Sequence, residues 1–115
     1  MAMASPTAHV AIDIHGRFLA FDDGAEALFG YRAADVLGRP MAPLIVPEAL
    51  RPWHEAGMRR YLDTGEEFLV GRTVEITALH ADGTEFPIEL TITKQSDDPV
   101  VIGGEIRPLP DPAGN

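Results

Sequence analysis

The stretch Val74-Glu-Ile-Thr-Ala-Leu-His-Ala-Asp-Gly-Thr-Glu-Phe-Pro-Ile-Glu-Leu-Thr-Ile92 decides the fold. Val74, Ile76 and Ala78 alternate with Thr73, Glu75 and Thr77, the period of a strand with one buried face. Asp82-Gly83 then supplies the dipeptide that most readily makes a tight hairpin turn. Beyond it Phe86, Ile88, Leu90 and Ile92 alternate with Glu85, Glu89, Thr91 and Thr93, so the strand returns with its apolar face on the same side. Pro87 cannot donate a ladder hydrogen bond, and a bulge or a late strand start is expected there. A further strand is expected from about Pro99 to Ile106, before the proline-rich Pro108-Leu-Pro-Asp-Pro112, which reads as a linker or tail.

Working back towards the N-terminus, Pro47 suits the first turn of one long helix reaching about Thr64, with Gly65 to close it. Leu50, His54, Met58 and Tyr61 form one stripe along this helix. Arg51, Glu55, Arg59 and Asp63 form another, with opposite charges four apart. Pro52 allows a later start. Before the long helix, Ala33 to Leu37 reads as a short helix stopped by Gly38, and Pro40 and Pro43 break the chain. Ala25 to Phe29 reads as another, capped by Asp22 or Asp23 and ended by Gly30. Val10, Ile12 and Ile14 alternate as a strand, and His15-Gly16 turns the chain into a second strand at Arg17 to Phe21. Hairpins segregated from helices argue for an α+β domain built on an antiparallel sheet.

The bulk properties agree with one small globular domain. A chain of 115 residues buries roughly two-thirds of its unfolded surface. No apolar run approaches the roughly 18 residues of a membrane span, so no membrane insertion is expected. The start, Met1-Ala-Met-Ala-Ser-Pro-Thr7, lacks the basic and apolar blocks of a secretion signal. There is no cysteine, which rules out disulfides and makes a cytoplasmic location the expectation. Net charge is −9, and such a field repels phosphate backbones, so no nucleic-acid partner is expected.

Several blocks have the wording of a known family. Asp23-Gly-Ala-Glu-Ala-Leu-Phe-Gly-Tyr31 with Asp35-Val-Leu-Gly-Arg39 resembles the stretch that follows the second strand of PAS domains. Pro47-Glu-Ala-Leu-Arg51, His54, Gly57 and Arg60-Tyr-Leu-Asp-Thr-Gly-Glu66 resemble the family's long helix and the turn after it. His80-Ala-Asp-Gly-Thr-Glu-Phe-Pro-Ile-Glu89 looks like its central hairpin. The resemblance implies residues 1–8 as a leader, 9–107 as the PAS domain and 108–115 as a tail. It implies a five-stranded antiparallel sheet in the order 2-1-5-4-3 with helices over one face. It further implies a non-catalytic sensory module of a bacterial signal-transduction protein such as a two-component system. Such a module binds a small ligand, forms homodimers, or both, and controls an attached N- or C-terminal effector domain. Two departures stand out: many relatives have Asn at Asp23 or Gly24, and many end the last strand on Asp-hydrophobic-Thr where this chain has Arg107-Pro-Leu109.

Strand and helix parity propose a ligand pocket lined by Leu28, Leu50, Trp53, His54, Met58, Tyr61, Val74, Ile76, Ile88, Leu90, Ile102 and Gly104, with Ile12 and Ala20 also facing inward. Such a lining suits a small apolar or aromatic ligand. The other sheet face carries Ala11, Leu19, Phe21, Leu79 and Val101, an apolar patch expected to meet a partner protomer or a flanking effector segment. His54 matches the proximal ligand of the haem-based oxygen-sensing PAS subgroup, which implies a haem gas or redox sensor as an alternative. Against it, Val74 stands where that subgroup places an arginine, and a partly buried, hydrogen-bonded imidazole is the favoured reading. No cofactor is otherwise assigned. Photoreception through a cysteine adduct is excluded by composition.

Other polar clusters carry little chemistry. Asp13 and His15 make at most two metal ligands, and His80 beside Asp82 reads as hairpin solvation. Glu85 and Glu89, about 13 Å apart on one strand, do not suit acid–base work. Ser5 and Ser96 have no base in view, and Gly103-Gly104 reads as a point of close approach within a strand.

Overall fold

The computed structural model describes residues 7–64 and 71–109, with the helical turn at 61–64 described by its backbone alone. Five strands, β1 Ala8–Ile12, β2 Phe18–Phe21, β3 Thr73–Leu79, β4 Glu85–Asp97 and β5 Val100–Pro108, form one antiparallel sheet in the order β2-β1-β5-β4-β3. Between β2 and β3 lie α1 Asp23–Phe29, α2 Ala33–Val36, α3 Ala42–Ile45, a single 3-10 turn Glu48–Leu50, and α4 Arg51–Thr64. The sheet is therefore the one its sequence pattern implies, and β3–β4 pair in register through Ile76 opposite Ile88.

Local chemistry sets the short elements. Asp22 caps α1 by accepting 2.8 Å from the Ala25 amide, and Gly30 ends it in the left-handed region at φ 82°. A side chain at Gly30 would meet the His80 ring at 2.5 Å, so the close approach of the β3–β4 hairpin to α1 also requires glycine there. The Ala81 amide donates 2.8 Å to the Phe29 carbonyl and fixes that approach. The core forms where α1 and α2 cover the sheet. Phe18, Phe29, Val36 and Ile106 are its largest fully buried side chains, and Phe29 stacks obliquely on Phe21 and Phe86 at 6.1 and 6.0 Å.

Several local expectations are corrected. β1 ends at Ile12, leaving Ile14 in the turn, and β5 runs on to Pro108. Pro43 sits in the first turn of α3, where a missing N–H is harmless, instead of breaking the chain. Pro47 caps the 3-10 turn and α4 begins at Arg51, so Pro52 takes the first-turn position. Pro87 causes neither a bulge nor a late start: it pairs regularly with Thr77. Its carbonyl accepts from the Leu109 amide, so the backbone groups of residue 87 point past the end of β5, where no ladder bond is lost. The β4 irregularity falls at Lys94/Ser96 instead. The expected Arg51–Glu55 pairing gives way to hydrogen bonds from the Arg51 guanidinium to the Val46 and Pro43 carbonyls. Gly65 lies outside the described residues.

Candidate functional site

α4 follows the 3-10 turn and touches α3, leaving a gap between its inner side and the sheet. That gap is a cavity of about 660 Å³, within the roughly 300–1000 Å³ usual for small-molecule sites. Of the pocket residues chosen by parity, Trp53, His54, Met58, Val74, Ile76, Ile88, Leu90, Ile102 and Gly104 lie on its wall. Ile12 joins them, as do Val10, Ile45 and Ile92, which parity reasoning passed over. Leu28 does not reach the wall, because it packs against the core from α1. Leu50 also misses it, since the 3-10 turn places it ahead of the helix proper. The Tyr61 side chain lies outside the described residues.

The helix meets the cavity on a different arc from the expected one. Ala56, Gly57 and Arg60 line it alongside the expected Trp53, His54 and Met58, so the face extends to the side by part of a helical step. Trp53 is 57% exposed and stands at the mouth. His54 borders both this cavity and a smaller recess lined by His15, Pro40 and Pro43. Burial holds its imidazole below the ordinary histidine range, against a weaker upward pull from Glu55, so the ring is neutral at physiological pH.

A haem group fits these residues poorly. A ligating imidazole is ordinarily oriented by an acceptor on its other ring nitrogen. His54 Nδ1 is buried and without a hydrogen-bond partner among the described residues, and the facing β3 position is the aliphatic Val74. The unpartnered Nδ1 also corrects the expectation of a hydrogen-bonded His54. The remaining polar candidates are structural. Asp13 accepts the amides of His15 and Arg17 at 2.9 and 3.0 Å, and the His80 ring lies 3.0 Å from the Asp82 carboxylate in the hairpin. Hydrogen bonds from Thr84 hold the Asp82 carboxyl below its usual range. Among the described residues no three His, Cys, Asp or Glu side chains gather as a metal site.

The outer sheet face differs from the apolar patch expected. β1 and β2 slip register between Ala11 and Ile12, which reverses the parity of the next residues on β2. Phe21 turns inward, is only 6% exposed and packs on Phe18 and Phe29, while Ala20 takes the outer place opposite Ala11. Ala11 is itself buried, leaving Leu19, 49% exposed, with the half-buried Leu79 and Val101. Beside them the face is polar: Thr73 and Thr91 hydroxyls meet at 2.8 Å, and His9 spans Asp22 at 3.1 Å and Glu105 at 3.5 Å. Burial would raise the Asp22 carboxyl, but hydrogen bonds from His9 and Ala25 outweigh it and hold the group below its usual range. Sequence reasoning missed the His9–Asp22–Glu105 cluster, since its members come from two strands distant in sequence and a helix cap.

Comparison with known proteins adds an independent line. A family model described as PAS domain matches residues 7–106. An uncharacterized protein of Azorhizobium caulinodans is 40% identical over 94 residues, covering 82% of this chain and 13% of that protein. The sensor protein FixL of Bradyrhizobium diazoefficiens is 32% identical over 105 residues, covering 90% of this chain and 21% of FixL. The chain thus corresponds to a small part of either relative. Among solved structures, the PAS domain of the Cronobacter turicensis RpfR quorum-sensing receptor, in complex with C12:0, superposes with a TM-score of 0.73 at 14% identity, over 96% of this chain and 100% of that one. A PAS domain from Colwellia psychrerythraea gives 0.70 at 25% identity, over 90% and 86%. Among the described residues no helix is long and apolar enough to cross a membrane.

Proposed function

The chain belongs to the PAS domain family of sensory modules, and on that premise we propose that it binds a small, largely apolar ligand between α4 and the sheet and relays occupancy to an effector domain of a larger signalling protein. The observation that carries this reading is the cavity. A gap of about 660 Å³ walled by aliphatic side chains is costly to leave open, since each wall atom forgoes packing contacts. An occupant restores those contacts at roughly 0.8 kcal/mol for each CH2 it buries. The module itself is non-catalytic in this reading, and the effector supplies the output. Its domain bounds are taken as 9–107, with the cytoplasm as its working compartment.

Relay runs through the sheet. The cavity wall includes Val10 on β1 and Ile102 on β5, whose neighbours Ala11 and Val101 lie towards the outer face. That face, reduced to Leu19, Leu79 and Val101 with Ala11 beneath, is where a second protomer or the effector segment docks. Native mass spectrometry of the purified protein, alone and after incubation with decanol, tests the ligand half. A reproducible added mass that Gly57→Leu removes is expected. A protein that stays free of added mass in both conditions overturns it.

A further inference from the structure

The cavity wall has a composition that narrows the ligand class, given the ligand-binding reading above. The sheet side is mainly aliphatic, with Val10, Ile12, Val74, Ile76, Leu90 and Ile102 turned to the space and Thr77 of β3 as its polar member. Among the described residues, Phe29 and Trp53 bring benzenoid or indole rings to the wall. The Phe29 ring is occupied by Phe21 and Phe86, and Trp53 stands at the mouth. Flat aromatic ligands are ordinarily clasped between rings, and the described part of the interior offers no such pair. Branched aliphatic walls instead fit a flexible hydrocarbon chain, since burial there is non-directional.

Arg60 is the charged residue of the described lining, and it comes from α4. α4 sets Trp53, Ala56, Gly57 and Arg60 along one stripe at spacings of three, one and three residues. Arg60 is an exposed residue that also lines the cavity, so it belongs to the rim. Gly57 is one turn before it, and a side chain built there would meet nothing within 4 Å. No packing constraint calls for glycine at 57. Its absence of a side chain leaves a shallow bed over the helix backbone that leads to Arg60, whose backbone lies about 4.5 Å further along the axis. A guanidinium forks onto a carboxylate through two parallel hydrogen bonds. The chain's net charge of −9 repels anions at long range, so recognition of one depends on a local cation at this rim.

We infer that the cavity takes an aliphatic monocarboxylate, with its chain lying across Gly57 and its carboxylate on Arg60. Trp53 is the only tryptophan in the chain, so its emission reads occupancy without a label. The test titrates decanoate and decanol at pH 7.5 into the wild-type protein, Arg60→Gln and Gly57→Leu. Arg60→Gln should weaken decanoate about tenfold and leave decanol unchanged, as loss of one charge-assisted pair predicts. Gly57→Leu should abolish both while raising the unfolding temperature, which shows that the variant is folded. If Arg60→Gln leaves decanoate unchanged, or weakens both ligands equally, the head-group assignment fails while the cavity reading stands. If neither compound binds the wild type, the aliphatic assignment fails, and added mass in the native spectrum of the purified protein then decides the cavity reading by itself.

Discussion

Gly57 offers a prediction in which sign as well as size is set by the structure. It lies in the interior of α4, on the cavity wall, with open space where a side chain would go. Glycine in a helix interior is about 1 kcal/mol less favourable than alanine, because more backbone freedom is lost on folding. Gly57→Ala should therefore stabilise the domain by about 1 kcal/mol, or about 4–8 °C in Tm for a domain of this size. Gly57→Leu should gain a similar helix contribution and add burial of its side chain in the cavity, up to about 1.5–3 kcal/mol if fully enclosed. Gly30 is the matched control. At φ 82° a side chain costs about 1–2 kcal/mol, and its Cβ would also meet the His80 ring at 2.5 and 2.7 Å. Gly30→Ala should then lower Tm, so the same substitution moves stability in opposite directions at two sites. Thermal unfolding by circular dichroism measures both. A fall in Tm for Gly57→Ala would refute the argument, because it would mean that the space beside α4 is already filled.

Three further outcomes are expected. His54 is held neutral by burial, so the unfolded chain takes up its proton more readily than the folded one; stability is full above the unfolded value of about 6.5 and falls as pH drops below it. His54→Gln should flatten the dependence of Tm between pH 7.5 and 5.5, and an unchanged slope would show that His54 is not the group responsible. Asp22→Ala removes the α1 cap and the anchor of His9, and should cost about 0.5–2 kcal/mol in urea unfolding, whereas Asp22→Asn should retain most of it. Leu19→Glu, placed on the outer face, should shift sedimentation of the purified domain towards the monomer without lowering Tm, and an unaltered sedimentation profile would remove Leu19 from the interface.

Sequence by itself determined the element order, the β3–β4 hairpin and the inward set of β3, β4 and β5, because strand alternation is a local property with a period of two. It also narrowed the α1 cap to Asp22 or Asp23 and determined the Gly30 stop, which depend on neighbours within one turn. The tertiary structure alone decided three things. The slip between Ala11 and Ile12 turned Phe21 into the core and Ala20 out, since one displaced residue reverses every side chain beyond it. The orientation of α4 brought Ala56, Gly57 and Arg60 to the cavity, because a helix is oriented by what it packs against, here α3 and the 3-10 turn. The volume of the gap appeared only in three dimensions: aliphatic residues at these positions have the same composition whether they line a pocket or fill a core, and here they stand apart where α4 fails to close on the sheet.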